Sequence, residues 1–552
     1  MRILIINFTR MGDLLQSTPL MRGLKRKYPD SESTLLVLDD FRGICGGFPG
    51  IDRLLTMDVN RFVPRLADQG LSIENHFTYM NKFIERVGTG YDLVINLSHT
   101  TLSAVLAFLT DSKDVRGMVL TKDGAPIVKH PWMNYFFNVA RNRLQNGINL
   151  VDMYNLTGEI EMLERKEYYE VPYDAQSFPD EFLKDYSGEF AGFQLGASSA
   201  DRCWEPQYFA KLAELLYEKM NYRVIVFGTG SEGEKLKEMK SQCRVEVIDA
   251  LGETTMPQLA AMLKRCKFLV TNDTGTMHLA AAVGTPAVAL FLGEARPADT
   301  GPYTEKAVVL EANISCAPCG YDVKCLDHTC HKYITPEDVL WVMRNFDEII
   351  SNEIDYLTDE PKWSKVKISK PVFDEDGFWN LVPLIKRSLT FNDYIKELYR
   401  RMWKNFLSGG RYAGEPDFMR YSTPPESGEF EREVERFEAD LMQMRELAEK
   451  GVNWIDEFCQ VIDPPNVEAL KRLTKEMIIL DNAIYHMELT RSAMGHIATT
   501  FRIKKKNTES GDLHYIADMA GRIYQDALKM TEMMLDDLEY YTARLNMEAE
   551  AV

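Results

Sequence analysis

The chain has 552 residues with 64 basic and 83 acidic side chains, a net charge of −19. That balance argues against nucleic acid as a partner and against a polybasic membrane anchor. The length calls for several domains, and no run of about 20 apolar residues offers a membrane span.

The opening "MRILIINFTRMGD" has no small-residue cleavage site, so it reads as a buried first strand rather than a signal peptide, and the expected compartment is the cytoplasm. "RILIINF" (2–8), "STLLVLD" (33–39) and "YDLVINL" (91–97) are short apolar runs, with helical stretches near 14–27 and 74–88. Residues 190–345 repeat the alternation through "FAGFQLG" (190–196), "YRVIVFG" (222–228), "VEVIDAL" (245–251), "KFLVTND" (267–273) and "PAVALFLG" (286–293). Continuous apolar strands separated by helices predict parallel sheets built from strand–helix–strand units. Two doubly wound α/β domains in tandem follow, residues 1–175 and 185–350, and ligands in such folds lie beyond the carboxyl ends of the strands.

Beyond residue 350 the pattern changes. Residues 351–427 are mixed, with a helix over 391–407 and a Gly/Pro/Ser-rich linker, "SGGRYAGEP" to "STPPESG". Residues 428–552 carry apolar stripes at helical spacing, through Phe430, Val434, Phe437, Leu441 and Met444, then Leu470, Leu473, Met477, Ile484 and Met487, then Ile516, Met519, Ile523 and Met530. They predict an all-α bundle of three long helices, with a helix start at Asp463-Pro464, a break at 504–511 and any leftover apolar face available for self-association or a protein partner.

Four stretches place polar groups where a strand meets a helix. "NFTRMGDLLQSTP" (7–19) carries Asp13, and "QLGASSADRCWEPQYF" (194–209) carries Ser198, Ser199 and Arg202 before a helix near Glu205-Pro206. "VFGTGSEGEKLKEM" (226–239) presents Glu232, placed to take ribose hydroxyls, but its spacing is not that of a dinucleotide fingerprint. "TNDTGTMHLAAAVG" (271–284) crowds Asp273, Thr274, Gly275 and His278 into a helix start, where unpaired N–H groups favour phosphate. The structural alternative for this last stretch is a plain capped turn, with Asp273 as the cap and His278 satisfied inside the first turn.

Together these segments resemble glycosyltransferase family 9, the heptosyltransferases, over residues 1–350. The resemblance rests on "TRMGD", "DRCWEP", "GTGSE", "NDTGTMHLAAAVGTPAVALFLG", "TGPY" (300–303) and the segment 316–339. It implies a GT-B fold, two Rossmann-like domains facing a cleft, that moves a heptose with inversion from a nucleotide-diphosphate donor, usually ADP-heptose, with no cofactor required for catalysis. Asp13 would then be the general base. Ser198, Ser199, Arg202, Thr274, Gly275 and His278 would line the diphosphate, Glu232 would bind the nucleoside and Asp273 the sugar. The acceptor would be a hydroxyl of a surface glycan, lipid-linked saccharide or protein, reached in the cytoplasm or from the periphery of the inner membrane. Arg202 stands where the family has lysine, Asn7 where it has arginine, and "LFLGEARPAD" departs from the usual "FGxTxP". A GDP- or UDP-linked donor, or a relic core that serves as a scaffold through its helical tail, are the competing readings.

Cys316, Cys319, Cys325 and Cys330 fall within 15 residues. Their spacing suits a structural tetrathiolate for Zn or Fe, disulfides, or reduced buried thiols.

Overall fold

The structure, a computed structural model, describes residues 1–62, 73–161, 165–320, 323, 325–352, 363–410, 416–425 and 428–551. The expected linker at 408–428 lies partly outside these residues. The chain divides into two compact units, neither contiguous in sequence: residues 1–99, 109–115 and 149–386 form one, and residues 100–108, 116–148 and 387–552 the other.

The strands run β1 (Arg2–Asn7), β2 (Glu32–Leu38), β3 (Arg53–Met57), β4 (Leu93–Asn96), β5 (Asp114–Leu120) and β6 (Pro126–Lys129). They continue as β7 (Glu189–Gln194), β8 (Tyr222–Phe227), β9 (Val247–Asp249), β10 (Phe268–Asn272), β11 (Ala287–Phe291), β12 (Ala307–Ala312), β13 (Val366–Phe373) and β14 (Trp379–Pro383).

In the first unit β3, β2, β1 and β4 are neighbours in that order and all parallel, with Ile3 opposite Ser33 and Leu93. Ile3, Leu4, Ile5 and Ile6 are fully buried, as a strand covered on both faces must be. A second sheet in the same unit has the order β14-β13-β12-β11-β10-β7-β8-β9. Its strands from β12 to β9 are parallel, and β13 and β14 join antiparallel at the edge. The α/β class read from the strand pattern is therefore present, but the second sheet extends past residue 350. The edge hairpin escapes sequence reading because Pro371, which lacks an N–H, interrupts "VKISKPVF" and demotes the run as a strand. Buried Asp152 fastens this edge, accepting from the Tyr303 hydroxyl at 2.7 Å and the Trp379 N–H at 3.1 Å.

The second unit is mainly helical, with helices Phe391–Ser408, Glu429–Gln460, Val467–Thr490, Gly495–Lys506 and Leu513–Ala551. Thr390 caps the first by accepting from the Asp393 N–H. The apolar stripes meet inside: Gly451 lies against the Tyr524 ring, and the Trp454 indole donates to the Leu473 carbonyl at 2.6 Å. Two expectations are corrected. The helix after residue 460 begins at Val467 behind an Asn466 cap, which accepts from Ala469 N–H, and not at Asp463-Pro464. A further helix, Gly495–Lys506, stands before the break. It is bound to residues far earlier in the chain: the Asn138 amide donates to the His496 carbonyl at 2.6 Å and to Thr500 Oγ1 at 2.7 Å, and the Asn507 amide reaches the Val128 carbonyl at 2.9 Å.

Candidate active site

Every non-cysteine site candidate read from the sequence lies in the first unit, on the loops that leave its parallel strands or on the helix turns those loops enter. Asn272, the last residue of β10, organises the second sheet's edge. Its amide donates to the carbonyls of Gln194, Leu195 and Gly196 at 3.2, 3.1 and 3.3 Å, and its Oδ1 accepts from the Trp204 N–H at 2.9 Å. The exits of β7 and β10 are thus held together by one buried side chain.

The helix Gly275–Val283 follows, with extended Thr274 at its N-cap and no side-chain cap bond. The plain capped turn is therefore not what forms. Asp273 is not the cap; it accepts from Arg202 Nη1 at 3.1 Å. Arg202 Nε donates to Glu294 at 2.7 Å, so one guanidinium is held by two carboxylates, all three side chains between 10% and 15% exposed. The start of the helix leaves backbone donors available to an anion. Ser199 Oγ, beside this arginine in sequence, is buried with no protein partner, and Ser198 is exposed.

His278 is buried, and its bond leaves its own helix: Nδ1 lies 2.8 Å from Oε1 of Glu167, which is fully buried. Burial alone would lower the imidazole pKa, but Glu167, Asp273 and Asp13 outweigh it and hold the pKa above the ordinary histidine value. Three carboxylates around one ring favour its charged form against that burial.

Asp13 belongs to the other sheet, in the third position of the helix Met11–Gln16 that follows β1. Its Oδ2 accepts from the Arg10 N–H at 3.2 Å. Burial raises its carboxyl pKa, against the opposing pull of that N–H, His278, Arg10 and His99. The two helix starts touch. A Cβ on Gly12 would lie 3.0 Å from His278 Cδ2, and a Cβ on Gly275 would collide with the Met11 side chain. Two glycines let the first sheet's loop reach the second sheet's helix, and they bring Asp13, Asp273, Gly275 and His278 together.

Glu232 sits apart from that cluster, at the exit of β8. Its Oε2 accepts from the Thr229 N–H and hydroxyl at 2.8 and 2.6 Å, and a Cβ on Gly196 would strike its Oε1. It therefore closes a capping box and also faces the β7 exit.

The expected tetrathiolate is not formed. Among the described residues no group of three or more His, Cys, Asp or Glu is arranged to hold a metal ion, and all four thiols are unbridged. Cys316 is exposed, Cys319 and Cys325 are half-buried and Cys330 is buried. The loop instead braces the arginine loop through histidines: His328 Nε2 lies 2.7 Å from Asp201 Oδ1, and His331 Nε2 2.9 Å from the Asp201 carbonyl.

Glu167, Glu294 and Asn272 were not among the sequence candidates. Glu294 lies in the segment that departs from the family pattern, and that departure was its signal. Glu167, in "RKEYYEVP", has no local pattern, because its partner is 111 residues away.

A carboxylate at one sheet's edge is thus set against an imidazole at the edge of another, with an arginine bound beside it. Residues 80–329 match the family model of glycosyltransferase family 9 (heptosyltransferase). The chain is 25% identical over 331 residues to lipooligosaccharide heptosyltransferase 2 of Haemophilus ducreyi, covering 56% of this chain and 88% of that protein. It is also 25% identical over 331 residues to lipopolysaccharide heptosyltransferase 2 of Escherichia coli, with the same coverage. Among solved structures, a glycosyl transferase family 9 protein from Veillonella parvula superposes with a TM-score of 0.49 at 20% identity, covering 64% of this chain and 97% of its own. An E. coli heptosyltransferase solved with ADP gives 0.46 at 20% identity, covering 62% and 99%. Among the described residues no helix is long and apolar enough to cross a membrane.

Proposed function

We propose that the chain is an inverting heptosyltransferase, with ADP-heptose as donor and a hydroxyl of a bacterial surface glycan, lipid-linked saccharide or protein as acceptor. The observation that carries this reading is the approach of Gly12-Asp13 to Gly275 and His278, an acid facing a cationic helix start. Asp13 takes the proton from the acceptor hydroxyl as its oxygen attacks the anomeric carbon. The bond from that carbon to the diphosphate breaks on the opposite face, which inverts the centre. Negative charge growing on the departing diphosphate meets the Arg202 guanidinium, the His278 ring and the free N–H groups at Thr274 and Gly275. Ser198 and Ser199 supply hydroxyls to the same phosphates, Glu232 the ribose contact and Asp273 the sugar contact.

In this reading residues 1–350, most of them in the first unit, are a GT-B core. Residues 1–175 carry the acceptor side and residues 185–350 the donor side, working at the cytoplasmic face of the inner membrane, while the bundle at 428–552 is the surface for self-association or a protein partner. The relatives' names, both heptosyltransferases, support heptose as the transferred sugar. The test is turnover: purified full-length chain, ADP-heptose and a heptose-deficient bacterial glycolipid, with the acceptor weighed by mass spectrometry. A gain of one heptose, lost in Asp13→Asn, supports the proposal. Transfer from GDP- or UDP-linked sugars alone would replace the donor, and no transfer from any would leave the scaffold reading.

A further inference from the structure

We propose that Glu167 is a positioning residue that holds His278 as a standing cation, its free Nε2–H turned toward the leaving diphosphate. The inference rests on the reading that the site takes a nucleoside diphosphate, and it assigns a part in that chemistry to a residue outside the sequence motifs.

The geometry is specific. Glu167 is fully buried, and its Oε1 lies 2.8 Å from His278 Nδ1. Its second oxygen, Oε2, is also buried and has no hydrogen-bond partner in the protein, so no other donor competes with the imidazole for this carboxylate. With Nδ1 engaged, the ring's only other donor is Nε2. That edge faces the first sheet's loop: a Cβ on Gly12 would lie 3.0 Å from His278 Cδ2 and 3.6 Å from Nε2. The charged groups around the ring are Glu167 from the 165–172 segment, Asp273 from the loop before its own helix, and Asp13 from the helix Met11–Gln16. These three carboxylates favour the imidazolium against the burial that disfavours it, and burial also raises the pKa of Glu167 itself.

The consequence is chemical. A neutral imidazole fixed by Glu167 could still donate from only one nitrogen, and it would bring no charge to a dianionic leaving group. The imidazolium donates from both nitrogens at once, one bond to Glu167 and one to phosphate. A charge-assisted bond of this kind is worth about tenfold or more in affinity. Glu167 never touches substrate; it decides whether His278 arrives charged.

The test uses full-length protein with 15N-labelled histidine, the His278 signal assigned by its absence in His278→Asn. In wild type the ring should remain doubly protonated from pH 6 to 8. In Glu167→Gln, which keeps size and removes charge, it should become neutral within that range. In parallel, ADP affinity should be nearly flat with pH in wild type, and in Glu167→Gln should fall about tenfold between pH 6 and 8. Adenosine affinity should not move in either protein. A wild-type ring that is neutral at pH 7 overturns the proposal even if the variant fails to fold. So does a Glu167→Gln ring that stays charged. A ring that behaves as expected while ADP affinity ignores pH overturns the diphosphate-facing half. A ring that behaves as expected in a protein that binds no ADP at any pH rejects the nucleotide reading, and leaves Glu167's hold on the proton measured.

Discussion

Gly12 and His278 meet so closely that a Cβ on the glycine would stand 3.0 Å from the imidazole Cδ2. The contact joins a helix start in one sheet to a helix start in the other, and any Cβ there requires the imidazole to give way. Gly12→Val should force the two loops apart, at a cost of about 1–3 kcal/mol from overpacking. Turnover should fall by more than the loss of stability explains, because Asp13 moves with the loop. Thermal unfolding and kcat measured on the same sample check this. A variant with normal kcat would show that the approach is incidental.

The acid limb of the rate profile should belong to Asp13. Burial raises its pKa above the free value of 3.8, and a general base works only when ionised. The sign follows: kcat/KM rises with pH through that raised pKa and falls away below it. Asp13→Asn should lower turnover by about two to four decades and abolish the limb, with ADP binding nearly unchanged. A full pH profile of both proteins decides it.

Arg202 binds Glu294 and Asp273 through different nitrogens, an arrangement that needs a planar fork. Arg202→Ala should weaken ADP by about tenfold or more and leave adenosine unaffected. Arg202→Lys should fall between, since an ammonium keeps the charge but not both bonds. Calorimetric titration with the two ligands reads the difference.

The helical unit depends on Asn138. Its amide serves the buried His496 carbonyl and Thr500 hydroxyl, and Asn138→Ala leaves both without that donor. The expected loss is about 1–3 kcal/mol, read by denaturant unfolding. Loss near zero would mean that the helix Gly495–Lys506 holds its place without the earlier segment.

What could be read in advance depended on range. The parallel strands were legible because "RILIINF" and "KFLVTND" are apolar throughout, as burial on both faces demands. Asp13, Arg202, Asp273 and His278 were legible because each follows a strand at a helix start. The stripes through Phe430 to Met444 gave the bundle, but not its packing on Asn138, which lies hundreds of residues away in the chain. Glu167 and Glu294 were hidden for the same reason: a carboxylate that completes a site from a distant segment leaves no periodicity behind. The cysteines misled in the opposite direction: their close spacing suggested a metal site that the described residues are not arranged to form.

Thermal-shift measurement of the full-length chain against ADP-, GDP-, UDP- and CDP-linked ligands tests the central claim most directly, because a ligand that binds only the folded state raises its midpoint by mass action. The ADP series should raise the midpoint, and Arg202→Ala should abolish the rise. A shift with GDP or UDP ligands and none with ADP, or no shift with any of the four, would contradict an ADP-heptose-dependent transferase.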